Sequence, residues 1–149
     1  MHQRHQCSIF TLILKGNIHA DHRGTVRFVN DFQFEGVKRF YTITHPDTKL
    51  IRAWQGHKLE TKYFYVANGA FKISWIKVDN WEQPSKDLHI HHKELKDSES
   101  ELLVIKPGHA TAIRALIPGS TLMVFSDKSL EESKADDYRF DADFWQIEH

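Results

Sequence analysis

Lys49-Leu-Ile-Arg-Ala-Trp-Gln-Gly-His-Lys-Leu-Glu-Thr-Lys-Tyr-Phe-Tyr-Val-Ala-Asn-Gly-Ala-Phe-Lys-Ile-Ser-Trp75 is the stretch whose reading decides the fold. Asn68-Gly69 separates two runs rich in aromatic and β-branched residues. That pattern predicts a β-hairpin with a type I′ turn. A two-residue loop sets the register: Ala67 opposite Ala70, Val66 opposite Phe71, Phe64 opposite Ile73 and Lys62 opposite Trp75. Side chains alternate along a strand, so Phe64, Val66, Phe71, Ile73 and Trp75 share the buried face. Tyr63, Tyr65, Lys72 and Ser74 take the other. Lys62 falls on the apolar face. Either it sits at the strand end and snorkels to water, or it is a buried cation kept for function.

On either side of this stretch the chain breaks into short β-like runs. Strands are expected at Ser8–Leu14, Thr25–Asn30, Val37–Thr44, Leu50–Trp54, Leu102–Ile105, Ala110–Leu116 and Thr121–Phe125, with a short strand or connection at Leu88–His92. Gly16–Gly24, His45–Thr48, the bend at Gly56, Asp79–Asp87 and Pro118-Gly119 supply the turns. Lys93–Glu101 is expected to be an exposed loop or helical turn. Short strands spaced by turn signals, without a long helical period, predict a β-sandwich or barrel. From Ser129 the chain becomes acidic (Glu131, Glu132, Asp136, Asp137) and carries Tyr138, Phe140, Phe144 and Trp145 as anchors. This tail, 129–149, is expected to wrap the outside of a single domain spanning 1–149.

The composition restricts the function. Lys plus Arg and Asp plus Glu each number 20, for a formal net charge of +0. A nucleic-acid binder normally shows a basic excess, so that class is set aside. The single Cys7 allows no intramolecular disulfide, which suits a reducing cytoplasm. The apolar run Ser8–Leu14 is too short to span a bilayer and lacks the cleavage pattern of a signal peptide. With no hairpin partner beside it, it is free to pair with a second subunit. Of eleven histidines, His2, His5 and His149 lie near the ends and are expected to be solvated.

Arg52-Ala-Trp-Gln-Gly-His57-Lys58, with Lys62 and Asn68-Gly69 following, resembles the dTDP-sugar cupins. These are the dTDP-4-dehydrorhamnose 3,5-epimerases and, more closely, the dTDP-4-keto-6-deoxyglucose 3,4-ketoisomerases. The ketoisomerase pattern is Arg-Gly-aromatic-His-Ala-His-Lys. Arg52, Trp54, His57 and Lys58 match it, whereas Ala53 stands for the glycine and Gln55 for the first histidine. Asp21-His22-Arg23-Gly24, Val37–Tyr41, Ile105-Lys-Pro-Gly108 and Ser126-Asp127 are similar to further family blocks. The resemblance covers roughly residues 18–145. It implies an all-β double-stranded β-helix, the RmlC-like cupin jelly roll. It also implies a homodimer that exchanges N-terminal strands, and a nucleotide-linked deoxysugar as ligand in polysaccharide or glycan biosynthesis.

The family's chemistry removes a proton beside a ketone, holds the enolate and returns the proton elsewhere. That needs a base, a cation at the oxyanion and a dry pocket. His57 is the expected base, because imidazole titrates in the right range. Arg52 and Lys62 are candidates to hold the enolate or a phosphate. Tyr41 is the expected acid, Tyr63 and Tyr65 being assigned to the outer face. Arg23 is a candidate diphosphate contact, in its own subunit or a neighbour's. Trp54 and Trp75 would stack a sugar or base, or else be core. Gln55, His109 and Thr111 complete the expected substrate contacts.

The epimerase base corresponds to Gln55, its tyrosine acid falls near Met123, and the second-motif histidine falls at Thr111. Neither glutamine nor methionine can transfer a proton at neutral pH, which conflicts with a standard 3,5-epimerase mechanism. A non-catalytic cupin that binds a sugar nucleotide or carbohydrate is the alternative. No metal or organic cofactor is required in the leading reading. A metal variant would use His57, Glu60 and His109; His89 and His91 also have ligand spacing but are expected in a solvated loop.

Overall fold

The computed structural model describes residues 4–7 and 11–147, with side chains from 12 onward. The strands are β1 (Arg4–Cys7), β2 (Thr11–Lys15), β3 (Asn17–Asp21), β4 (Gly24–Phe28), β5 (Arg39–His45), β6 (Ile51–His57) and β7 (Lys62–Asn68). They continue with β8 (Ala70–Lys77), β9 (His91–Lys96), β10 (Glu101–Ile105), β11 (His109–Ala115), β12 (Ser120–Ser126) and β13 (Tyr138–Arg139). A single turn-and-a-half helix, α1 (Leu130–Ala135), precedes β13. One sheet runs β1-β2-β10-β7-β12-β5 and the other β13-β6-β11-β8-β9, with β3-β4 as a separate hairpin. All pairings are antiparallel.

The expected hairpin at Asn68-Gly69 is a corner instead. β7 pairs with β10 and β12, whereas β8 pairs with β11 and β9 in the opposite sheet. A type I′ turn needs positive φ at both central residues. Gly69 has φ of 82°, but among the described residues no non-glycine has positive φ. Side chains hold the corner in place of a ladder. Asp97 accepts from Gly69 N–H at 2.8 Å and Ser120 Oγ accepts from Ala70 N–H at 3.0 Å. A Cβ on Gly69 would overlap the Ser120 side chain.

The predicted faces of these two strands nevertheless hold. Phe64, Val66, Phe71, Ile73 and Trp75 are buried together with Leu103, Ile105, Ile113, Leu122 and Val124 between the sheets. The face of a side chain depends on alternation along its own strand, not on which strand it pairs with. Lys62 shares this inner face and is 5% exposed, so it does not snorkel out. Tyr63 and Tyr65 are on the outer side, where Tyr63 meets Phe32 and Tyr65 is hydrogen-bonded to Ser100 and covered by Arg27.

A second core lies outside the β6/β11/β8 sheet. Trp54, Ile76, Val78, Ala110 and Ala112 are covered there by Trp145, Phe140 and Phe144 of the tail. The Trp54 and Trp145 rings meet edge to face at 5.5 Å. Trp54 and Phe140 exchange backbone hydrogen bonds, both 3.1 Å. Phe140, Phe144 and Trp145 of the tail therefore lie over the outer side of this sheet. Gly56 belongs to β6 and does not make a bend. It faces this layer, where a Cβ would meet the Trp81 and Phe140 rings.

Two other segments differ from expectation. Gly16–Gly24 contains strand β3, and Lys93–Glu101 contains most of edge strand β9. Both are largely exposed, so hydrophobic alternation is weak in them, and charge on an edge strand opposes aggregation. The first expected strand is described over Thr11–Lys15; residues 8–10 and the terminal His2 and His149 lie outside the described residues. β2 pairs with β10 and β1 of its own chain. Among the described residues, no helix is long and apolar enough to cross a membrane.

Candidate active site

The two sheets enclose a cavity of about 550 Å³. Its polar lining comes from Tyr41 of β5, Arg52 and Gln55 of β6, Lys62 of β7, Thr111 of β11 and Arg139 of β13. Phe64, Ile113 and Val124 supply apolar wall. The charged residues of the lining, Arg52, Lys62 and Arg139, are all cations.

An irregularity in β6 creates this grouping. Thr111 stands opposite Gln55, but Ile113 stands opposite Arg52, so three steps on β6 match two on β11. The extra residue breaks strict alternation. Arg52 and Gln55 both reach the cavity lining, while Trp54 packs its ring into the outer core. Trp54 is 1% exposed and its Nε1–H donates to Trp145 C=O at 3.1 Å. It borders the cavity without offering a ring face to stack a ligand, which corrects the sequence expectation. Trp75 is also core: it packs among the inner apolar residues and stacks on His91 at 5.7 Å, away from the lining.

Lys62 is the central cation. Burial pushes its amine down to about 8, with the Glu60 charge opposing and the Arg39 and Arg139 charges adding to the shift. Nζ donates to Gln55 Oε1 at 2.9 Å. Gln55 Nε2 donates in turn to Asp137 Oδ1 at 3.2 Å, and Asp137 also accepts from Arg139 Nε at 2.7 Å. Burial opposes ionisation of Asp137, but the hydrogen bonds from Arg139 and Gln55 outweigh it and lower its pKa. Tyr41 is pushed up to about 12 by burial and by the Glu60 charge, so its phenol keeps its proton. Arg39 lies over the Tyr41 ring at 4.9 Å. Arg52 Nε donates to His45 Nε2 at 3.1 Å.

His57 is 5% exposed and lies two residues beyond Gln55 on β6, outside the cavity lining. Nδ1–H donates to Asp136 C=O at 2.6 Å, which fixes the tautomer with a bare Nε2. Nε2 has no hydrogen-bond partner among the described residues. Burial first, then the Lys62 charge, lowers the His57 pKa, against the opposing Glu60 charge. The imidazole is therefore neutral near pH 7, with a free lone pair. Glu60 Oε1 is 3.4 Å from Nδ1 and stands ready to stabilise the ring if it gains a proton.

His57, Glu60 and Asp136 are close enough to hold a metal ion. Their hydrogen bonds already give them another role. The Asp136 carboxylate accepts backbone N–H groups of Lys58, Leu59 and Glu60 at 2.9, 2.9 and 3.0 Å. Asp127 accepts that of Thr61 at 2.8 Å, and Ser126 Oγ donates to Glu60 Oε2 at 2.6 Å. This acidic clamp shapes the turn between β6 and β7. His109 is outside the cluster: it is buried opposite His57, and its Nδ1–H donates to Lys106 C=O at 2.8 Å.

Arg23 is in the β3–β4 turn and pairs with Asp21 at 2.7 Å; its side chain is 76% exposed and is not in the cavity lining of its own chain. The cavity lining thus gathers Tyr41, Arg52, Gln55, Lys62 and Thr111, and leaves His57, Arg23, Trp75 and His109 outside it. It adds Arg139 and Asp137, which the sequence marked only as part of an acidic tail.

No family model and no curated protein matches this sequence. Solved structures do. The chain is similar to a dTDP-4-dehydrorhamnose 3,5-epimerase from Sulfolobus tokodaii, with a TM-score of 0.77, 17% identity and coverage of 98% of this chain and 85% of that one. Its fold is the RmlC-like cupin jelly roll. It is also similar to QdtA, a sugar 3,4-ketoisomerase from Thermoanaerobacterium thermosaccharolyticum solved in complex with TDP. There the TM-score is 0.68 at 24% identity, over 91% of this chain and 92% of that one. A 3,4-ketoisomerase from Helicobacter canadensis gives 0.66 at 20%, over 90% and 93%. These are the two groups of proteins that the Arg52–Lys58 motif resembles.

Proposed function

We propose that this protein isomerises or epimerises a dTDP-linked 4-keto-6-deoxyhexose through an enolate, in polysaccharide or glycan biosynthesis, as a cytoplasmic homodimer. The observation that carries the reading is the cavity between the sheets, whose charged lining is wholly cationic; a neutral histidine with a free Nε2 lies two residues beyond Gln55 of that lining. The likeness to deoxysugar epimerases and ketoisomerases supports the substrate class.

His57 lies behind the lining of the ligand-free cavity, so substrate binding must uncover Nε2, which then takes the proton from the carbon beside the ketone while the C–H electron pair moves onto the ketone oxygen. Its Nδ1–H stays on Asp136, and Glu60 balances the imidazolium. Lys62 and Arg52 meet the developing oxyanion, and burial strengthens the effect of Lys62. Tyr41, protonated at neutral pH, is the acid. Return of a proton to the same carbon from the opposite face is epimerisation. Return to the former ketone carbon, with the hydroxyl proton of the first carbon passing to the former ketone oxygen, is ketoisomerisation. Thr111 and Arg139 contact the substrate, and Arg23 reaches the diphosphate from a partner subunit.

Gln55 favours a second reading, a cupin that binds the nucleotide sugar without turnover, because its amide occupies the place of the family base. Incubation of dTDP-4-keto-6-deoxyglucose with the protein in D₂O, followed by proton NMR, separates the two. Deuterium at C3, lost in His57→Asn, supports the isomerase. Saturable binding with no exchange supports the binding protein.

A further inference from the structure

The tail does more than cover the barrel. Asp137 and Arg139 arrive at the cavity because Tyr138 and Arg139 pair with Gly56 and Gln55 of β6. The orientation of the Gln55 amide then follows from its neighbours. Lys62 Nζ can only donate, and an ionised Asp137 can only accept. The amide oxygen must therefore face Lys62 and the amide nitrogen must face Asp137, as the 2.9 and 3.2 Å contacts show. A flipped amide would set N–H against N–H and oxygen against oxygen.

We propose that Gln55 and Asp137 form a positioning relay that keeps Lys62 protonated and aimed into the cavity, making the C-terminal segment part of the catalytic apparatus. This rests on the isomerase reading for its chemical consequence, but the relay itself can be tested without substrate. Lys62 is buried and, among the described residues, no carboxylate hydrogen-bonds to it directly, so the acceptor at Gln55 is the hydrogen bond that favours the ammonium over the amine. The other charged groups around it are Arg39 on β5, Arg52 and His57 on β6, Glu60 in the β6–β7 turn, and Arg139 beside Asp137. Tyr41 of β5 faces the same cavity. From β11 and β12 the cavity receives only Thr111, Ile113 and Val124, which carry no charge. The Glu60 and Asp137 charges favour the ammonium, Arg39 and Arg139 oppose it, and the Gln55 acceptor adds to the favourable side.

The role assigned to Lys62 requires its charged form. Anything that lowers its pKa should withdraw activity at a lower pH, and anything that raises it should extend activity upward.

The test follows the Lys62 side chain by ¹³C and ¹⁵N NMR titration in the ligand-free protein. Gln55→Leu removes the acceptor, and Asp137→Asn removes the Asp137 charge and releases the amide; each should lower the Lys62 pKa by about half a unit or more, and the Asp137→Asn shift should shrink when Gln55 is already Leu, because only the direct charge effect then remains. Gln55→Glu places a carboxylate at the same point and should raise it. Equal titration in the wild type and Gln55→Leu, or an Asp137→Asn shift of the same size with and without the Gln55 amide, would overturn the relay; if Gln55→Leu fails to fold, Gln55→Met takes its place. The alkaline limb of C3 deuterium exchange should move with the Lys62 titration. A limb that stays fixed while the Lys62 pKa moves would overturn the catalytic part. Absence of exchange in the wild type would overturn the isomerase reading and the catalytic part of this one, leaving the relay to be decided by the titration alone.

Discussion

Replacing Asp136 by Ala should cost more stability than any other acidic residue of the tail, because its carboxylate carries three backbone donors at once. Asp136 is 4% exposed, and Glu60, whose N–H it accepts, is 2% exposed. A hydrogen bond to a charged group contributes about 1.5–3 kcal/mol, and an orphaned buried N–H costs a similar amount. Lys58 and Leu59 are exposed residues, so water can replace most of their loss, whereas Glu60 N–H would remain unpaired. The sum is about 3 kcal/mol. For a chain of this size that corresponds to a fall in Tm of roughly 10 °C. Asp136→Asn keeps one acceptor oxygen and should lose about half as much. Urea unfolding should show a lower midpoint with an unchanged m-value. Amide exchange at residues 58–60 should accelerate more than at the inner strands. A loss below about 1 kcal/mol for Asp136→Ala, or protection unchanged at Glu60, would refute the clamp.

Lys62→Met should abolish turnover yet stabilise the fold. The Lys62 pKa is about 8 in the folded protein against the ordinary 10.5. Below pH 8 both states are protonated and the full penalty of about 3 kcal/mol applies. Between pH 8 and 10.5 the unfolded chain holds the extra proton, so wild-type stability rises with pH through that window. The variant should lack this rise, as urea unfolding at pH 7 and pH 10 would show. Gly69→Ala should destabilise by about 3 kcal/mol, since it combines a left-handed backbone with overlap on Ser120; thermal unfolding checks it. Trp145→Ala should cost about 3–5 kcal/mol by opening the outer core around Trp54, and it should raise amide exchange at Trp54 and Phe140.

The fold was readable because strand faces are local. Phe64, Val66, Phe71 and Ile73 declare the inner side of β7 and β8 whatever those strands pair with. Pairing is not local, so Asn68-Gly69 gave a convincing signal for a hairpin that is in fact a passage between sheets. The face of Lys62 was visible on the same grounds, but alternation could not decide between burial and a strand end open to water. The site was legible where its residues share one motif: Arg52, Gln55 and Lys62 reach the cavity together. Trp54 was misplaced because a one-residue irregularity in β6 reverses the parity between Arg52 and Gln55, and alternation alone does not reveal it. Asp137 and Arg139 were missed as site residues because they join Gln55 from more than eighty positions away, at ~80 residues of separation that no periodicity spans. The only trace of them was an acidic tail with aromatic anchors, which announced wrapping but not where it would end.

The central claim is that the cavity between the sheets receives a nucleotide-linked keto sugar. The most direct measurement is a two-dimensional NMR titration with dTDP-4-keto-6-deoxyglucose, reading side-chain and backbone shifts across the chain. Saturable shifts should centre on Tyr41, Arg52, Gln55, Lys62, Thr111 and Arg139 and be lost or weakened in Arg52→Ala. Shifts confined to the outer faces of the sheets, or none at all at saturating ligand, would contradict it.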